Sequence, residues 1–265
     1  MELGVPPSDL LRDDYVQRAM RGGYPGAVRR SDPGRRGRFF ESYISDVINH
    51  AVRQLTEIER TGDMRRLINL IAASTSTPAN PSNVANRLQV PASTVKRYLD
   101  LLNLVFINRH VPAWSSNHAT WAVATPKLLL NDSGLAAYLT GMSLKRARRP
   151  AAPVGPILET FVLGELTRQL TFASNPIRLY HYRDRDQYEV DAVLEAASGE
   201  IVACEIKAAE TVRSEDFRGI ARLARQLGDQ LVAGIVLYAG QSPLSFGDRL
   251  RAWPIPPLWT LSPGT

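Results

Sequence analysis

Asp191, Glu205 and Lys207 stand inside segments that are otherwise apolar, Tyr188–Leu194 and Ile201–Ala208. Lone buried charges are costly, so charges kept in such surroundings have a partner or a metal. Strand side chains alternate between faces, so Glu205 and Lys207 share one face while Val202, Cys204 and Ile206 take the other. If Ala197–Gly199 makes an odd-length connection, Asp191 lies opposite Glu205, with β-carbons about 4.5–5.5 Å apart. Two carboxylates that close repel each other, and a divalent cation relieves the repulsion. Mg²⁺ (or Mn²⁺) suits the set. Mg²⁺ accepts one or two carboxylates, keeps waters and leaves positions for phosphate oxygens. The Ile206 carbonyl could add a ligand. Lys207, at the edge of the site, could orient or deprotonate an attacking water, or stabilise a developing phosphorane.

A third acid comes from the helical stretch "ILETFVLGELTRQL". Glu159 shares a face there with Val162, Leu163 and Leu166. Glu165 is similarly placed beside Phe161, so the choice between the two stays open. An E-x-K pair on a strand is common, and its ordinary reading is a solvated edge. Asp191, the helix acid and the element order raise the metal-site reading above it.

The elements that must position these residues follow from periodicity. A helix is predicted from Ile157 to about Thr171. Strands follow near Ile177–Tyr182, Tyr188–Leu194 and Ile201–Ala208, then a helix over about Ser214–Leu227 and the apolar strand "LVAGIVLYA". The last strand–helix–strand order predicts a parallel pair. Upstream, Leu10–Met20, Gly37–Arg60 and Asp63–Ala73 read as helices, and "STSTPANPS" as a break. Val84, Leu88, Val95, Tyr98, Leu99 and Leu102 predict two short helices, the second capped by Ser93 or Thr94. Strands "LVFINRHV" and "WAVATPKLLL" follow, with a polar tip near Ser115–His118. That is the order of a winged helix. Its second helix would offer Ser93, Thr94, Lys96 and Arg97 to DNA. The expected division is a helical segment at 1–60, a winged-helix-like domain at 61–141, a basic, proline-rich linker at 142–156, and an α/β domain at 157–265.

The chain has 265 residues, 44% hydrophobic, with net charge +6. This composition fits a globular multidomain protein and permits nucleic acid as a partner. No apolar run approaches the roughly 18 residues of a membrane helix, and the N-terminus has no signal pattern, so a cytoplasmic location is expected. Cys204 is the only cysteine, which excludes a disulfide and a cysteine-based zinc site. His50, His110, His118 and His181 show no metal-ligand spacing. The arginine clusters Arg29–Arg38 and Lys145–Arg149 are expected in loops that can track phosphates.

The pattern D-(x)13-E-x-K on a hairpin, flanked by those helices, resembles the PD-(D/E)XK nuclease superfamily. The resemblance implies Mg²⁺ binding by Asp191 and Glu205, water activation by Lys207, and Glu159 as helix acid. Val190 stands where the superfamily often has proline. "GGYPGAV", "STVKRYLDLL", "TPKLLLNDSGLAAYLTG", "ETFVLGEL", "YHYRDRDQYEVDAVLE" and "CEIKAAETVRSEDFRGI" resemble the C-terminal portion of a bacterial and archaeal family of AAA-type ATPases, whose C-terminal region is domain of unknown function 4143. That implies an α+β/α/β multidomain chain: a helical remnant of an ATPase module, a winged helix, and a restriction-endonuclease-like domain with a mixed sheet flanked by helices. No G-x-x-x-x-G-K-[ST] motif occurs, so ATP binding is not carried over, and a truncated or stand-alone derivative is expected.

Two functional expectations follow. One is a Mg²⁺-dependent nuclease acting on DNA. The other is a non-catalytic DNA- or protein-binding module that uses the nuclease-like fold as a docking platform, with a protein partner or an ATPase in trans.

Overall fold

Helix α1 (Arg12–Arg21) carries Asp13 and Asp14 in its first turn and Arg18 and Arg21 in its last, four charges placed where the helix dipole favours them. In this computed structural model the described residues are 5–52, 61–75, 77–78, 81–116, 125–149 and 151–260. They divide into two compact units. A helical unit comprises Gln17–Val111 and Thr125–Phe161. A sheet unit comprises Met1–Val16, Pro112–Ala124 and Val162–Thr265.

The helical unit continues with α2 (Pro25–Val28) and α3 (Pro33–Asp46), then a π-helical stretch over Val47–Val52. Asp32 caps α3 by accepting from the Arg35 backbone N–H at 2.7 Å. Pro33 at the first helical position starts the helix there. Arg35, Arg36 and Arg38 therefore stand on a helix, which corrects the loop expected for Arg29–Arg38. The remainder of the helix expected to Arg60, residues 53–60, lies outside the described residues.

Next come α4 (Thr61–Ala73), β1 (Thr77–Pro78), α5 (Pro81–Leu88), α6 (Ala92–Leu104), β2 (Asn108–Val111) and β3 (Lys127–Leu130). Helix α6 buries Val95, Tyr98, Leu99 and Leu102, the three-and-four spacing of one face. Its N-cap is Pro91, with no side-chain cap bond. Ser93 and Thr94 lie within the first turn, which corrects the expected caps. Leu104 still belongs to α6, and Phe106 turns the chain at φ +58°, so the strand expected from Leu104 begins only at Asn108. Strand β3 pairs antiparallel with β1 (Thr77↔Leu128) and β2 (Arg109↔Leu129). The proline- and serine-rich break thus supplies an edge strand. His118, at the expected ribbon tip, lies outside the described residues.

Helices α7 (Ser133–Leu139) and α8 (Leu144–Ala147) follow, the latter inside the expected linker. The buried Asp132 ties α7 to the start of the unit. Its Oδ1 accepts from Leu135 N–H at 2.7 Å, and its Oδ2 from Gly23 N–H at 2.7 Å and Tyr24 N–H at 3.2 Å. Gly22 sits at φ +74°, where a Cβ would come 2.3 Å from Asp132 Oδ1. The "GGYP" and "NDSGL" stretches are therefore two halves of one brace. Phe40, Ile44, Leu67, Ile68, Leu102 and Leu130 centre the core of this unit.

Helix α9 (Gly155–Leu170) contributes its residues up to Phe161 to the helical unit and the rest to the sheet unit. The sheet unit then adds β4 (Ile177–Arg183), β5 (Glu189–Ala196), β6 (Ile201–Lys207), a 3₁₀ turn (Ser214–Phe217), α10 (Arg218–Leu227), β7 (Leu231–Tyr238), β8 (Leu244–Ser245), β9 (Leu250–Pro254) and α11 (Pro257–Thr260). The six-stranded order is β4-β5-β6-β7-β9-β8. Strands β4 to β6 are antiparallel, whereas β6, β7 and β9 are parallel. Phe217, Ile220, Leu223 and Leu227 pack into a core with Val193, Ala203 and Val236. A Cβ on Gly219 would fall 1.8 Å from Glu189 O, so α10 begins pressed against the β5 backbone. Among the described residues no helix is long and apolar enough to cross a membrane.

Candidate functional site

Between β5 and β6, Ala196 N–H donates to Glu200 O at 2.9 Å, which leaves Ala197, Ser198 and Gly199 as the loop, with Gly199 at φ +88°. A three-residue hairpin loop with a left-handed glycine is a standard closure. It sets Glu195 against Ile201 and Ala192 against Cys204. One further step in that register brings Asp191 opposite Glu205. The paired ladder stops at Ala192↔Cys204. Beyond it, the backbone N–H of Ile206 is taken by a side chain: it donates to Asp191 Oδ2 at 2.9 Å. Asp191 is only 8% exposed. The carboxylate thus stands where the two strands part, held by one strand while belonging to the other.

Ile201 and Ala203 carry one face of β6 into the core, and Glu205 and Lys207 end that face. Lys207 Nζ donates to Glu205 Oε1 at 2.9 Å and lies 3.8 Å from Asp216 Oδ1. Asp216 belongs to the 3₁₀ turn before α10, and its Oδ2 accepts from Arg213 N–H at 2.8 Å. Sequence reasoning missed Asp216. Its signal was the turn-opening "RSED", in which the acid three residues after the cap accepts from the cap's backbone N–H. Partial burial alone would lower the Lys207 pKa. Glu205, Asp191 and Asp216 outweigh it and hold the ammonium above its ordinary range. Cys204 faces away from this set. Burial first, then Asp191 and Glu205, pushes its thiol up to about 12.

The helix acids are engaged elsewhere. Lys127 Nζ donates to Glu159 Oε1 at 2.6 Å, with side chains 3% and 13% exposed. Glu165 pairs with Arg168 one turn on. Among the described residues no three His, Cys, Asp or Glu side chains gather as a metal cage. The geometry instead brings together two carboxylates, Asp191 and Glu205, beside one lysine. His181 is buried, with its backbone bridged to Ala113.

On α6, Ser93, Lys96 and Arg97 are exposed and Thr94 half-buried. The Arg97 guanidinium lies 5.7 Å from the Tyr98 ring centroid. Asp100 and Asn103 are also exposed on this helix, so its outer surface is not uniformly basic.

The model of a domain of unknown function (DUF8612) matches residues 12–146, just over half of the chain. The chain belongs to the DUF8612 family. The matched region runs from α1 into α8. A second domain of unknown function (DUF4143) is present at residues 154–258, across α9 and the six-stranded sheet. This DUF8612 chain is 28% identical over 237 residues to an uncharacterized protein of Mycobacterium tuberculosis and to one of Mycobacterium bovis. Each match covers 89% of this chain and 51% of the relative. The DUF8612 chain thus spans about half the length of the curated relatives it matches. No solved structure matches it.

Proposed function

We propose that the chain is a Mg²⁺- or Mn²⁺-dependent phosphodiesterase that acts on DNA in the cytoplasm. In this reading the sheet unit is a restriction-endonuclease-like domain of the PD-(D/E)XK type. The helical unit carries a winged helix whose Ser93, Thr94, Lys96 and Arg97 contact DNA. The observation that carries the reading is the meeting of Asp191 and Glu205 where the β5–β6 ladder ends, with Lys207 on the same face. The order α4-β1-α5-α6-β2-β3, closed by a three-stranded antiparallel sheet, supports the winged-helix part.

Asp191 and Glu205 fit an ion that takes one or two carboxylates and completes its shell with water and phosphate oxygens. Such an ion supplies an activated water and polarises the phosphoryl oxygens. The Ile206 N–H fixes the Asp191 carboxylate at the strand edge. Glu205 is oriented by Lys207, whose ammonium would turn to a non-bridging phosphate oxygen as negative charge builds there. Glu159, paired with Lys127 in the helical unit, is left out of the ligand set in this reading.

The test is cleavage of supercoiled and single-stranded DNA with Mg²⁺ or Mn²⁺, comparing wild type with Asp191→Ala. Metal-dependent nicking that disappears in the variant supports the reading. No cleavage by folded wild type overturns it. The rival reading, a non-catalytic DNA- or protein-binding platform, draws on the Glu205–Lys207 pair, which already neutralises one proposed ligand. An ATPase acting in trans would be a partner under either reading.

A further inference from the structure

The segment from α2 into α3 forms an open surface concavity of about 670 Å³ lined by Arg29, Arg30, Arg35, Arg38, Phe39 and Ser42. Four guanidinium groups share one concavity. Among the described residues none of the four makes an ion pair. The two acids between Pro25 and Ser42 are engaged elsewhere. Asp32 caps α3, and Glu41 accepts from Arg65 at 2.5 Å and from Tyr138 at 2.9 Å.

The display is held in place by the fold. Arg36 reaches back from α3 to donate to Arg30 O at 2.8 Å. Arg30 lies over the Phe39 ring, 4.9 Å from its centroid, and donates to Gly26 O. A Cβ on Gly26 would come 2.4 Å from the same ring, so backbone and aromatic are in close contact. Arg29, Arg35 and Arg38 are exposed, and among the described residues no side-chain hydrogen bond commits them to the protein.

Guanidinium forks match phosphate oxygens two at a time. A phosphate monoester brings at most about two negative charges, so four guanidinium groups answer a succession of phosphates rather than one. We propose that this concavity binds consecutive phosphate groups, supplied either by the backbone of a nucleic-acid strand or by a free polyphosphate chain. The proposal does not rest on the Asp191 site, because binding is measured with EDTA present and no cleavage is needed.

The experiment uses the full chain and three probes: a fluorescein-labelled single-stranded oligonucleotide, inorganic tripolyphosphate, and poly-glutamate as a carboxylate control. Arg35→Gln/Arg38→Gln is compared with Lys145→Gln/Arg149→Gln, which removes the same charge elsewhere in the helical unit, and with Lys96→Gln/Arg97→Gln. Circular dichroism confirms folding, and Arg29→Gln serves if the first double variant does not fold. The expected result is at least about a tenfold loss of phosphate-probe affinity for Arg35→Gln/Arg38→Gln and little change for Lys145→Gln/Arg149→Gln. If the strand is the ligand, the salt slope should also fall by about 1.4, two contacts at roughly 0.7 each. Loss on the oligonucleotide identifies a strand as the source. Loss on tripolyphosphate alone identifies a free chain. Equal losses in the pocket variant and Lys145→Gln/Arg149→Gln, no binding of either phosphate probe, or equal affinity for poly-glutamate would overturn the proposal.

Discussion

The Lys127 ammonium and the Glu159 carboxylate meet at 2.6 Å within the helical unit, with the lysine side chain only 3% exposed. Removing one partner strands a buried charge, which costs about 3–5 kcal/mol, whereas replacing both with apolar groups of similar volume is often close to neutral. Lys127→Met should therefore lower the urea midpoint sharply, and Lys127→Met/Glu159→Leu should recover most of it. A double variant no more stable than the single one would show that the pair is not the stabilising unit.

Asp132 joins the Gly22–Tyr24 turn to α7 through three backbone N–H donors. Asp132→Ala leaves those donors unsatisfied in a buried setting, at about 1–3 kcal/mol. Asp132→Asn keeps a cap acceptor and should lose less. Chemical denaturation of the two variants distinguishes the brace from a charge effect.

Much of the sheet unit is legible in the sequence because its signals are local. Apolar runs bounded by turns gave β4 to β7 to within about two residues, and the odd-length loop Ala197–Gly199 fixed the register that sets Asp191 against Glu205. What escaped depends on distant partners. Strand β1 is two residues long and exists only through β3. Strand β9 is defined by pairing with β7, and β8 by pairing with β9. Asp216 reaches Lys207 from the turn before α10, the helix whose Gly219 lies against the β5 backbone. The partner of Glu159 was invisible too, since Lys127 lies 32 residues away in the chain.

Gly219→Ala should be among the most damaging small substitutions. The added methyl would sit 1.8 Å from a backbone oxygen, which no side-chain rotation relieves. Displacing α10 disturbs Phe217, Ile220 and Leu223 together, so a loss of about 2 kcal/mol or more is expected, in the range of overpacked cores. Thermal unfolding measures it, and an unchanged Tm would refute the close packing.

Asp191→Asn separates positioning from charge. The amide oxygen can still accept from Ile206 N–H, so stability should change little. Under the phosphodiesterase reading, Mn²⁺ affinity measured by calorimetry should fall by about tenfold or more, and cleavage with it. Retained metal affinity would remove Asp191 from the proposed ligand set.

Glu41 gives a pH signature. Hydrogen bonds from Arg65, then Tyr138, hold its carboxyl below the ordinary range despite some desolvation. Its folded pKa is depressed, so its stabilisation is present above the unfolded value of about 4.3 and disappears as pH falls through the folded value. The pair is half-exposed, so the effect is small, about 0.2–1 kcal/mol. The Tm difference between wild type and Glu41→Gln should be constant above about pH 5 and shrink on acidification. A difference that grows in acid would reverse the assignment.

The buried position of Cys204 has a practical consequence. The chain's one thiol is sealed under the sheet beside two carboxylates that oppose thiolate formation, and the thiolate is the reactive form. A single cysteine introduced at an exposed position such as Arg97 or Ser116 would therefore be the one fast-reacting thiol. Dyes, spin labels and crosslinkers could then be attached at chosen points to the native chain, without first removing a residue from beneath its candidate site.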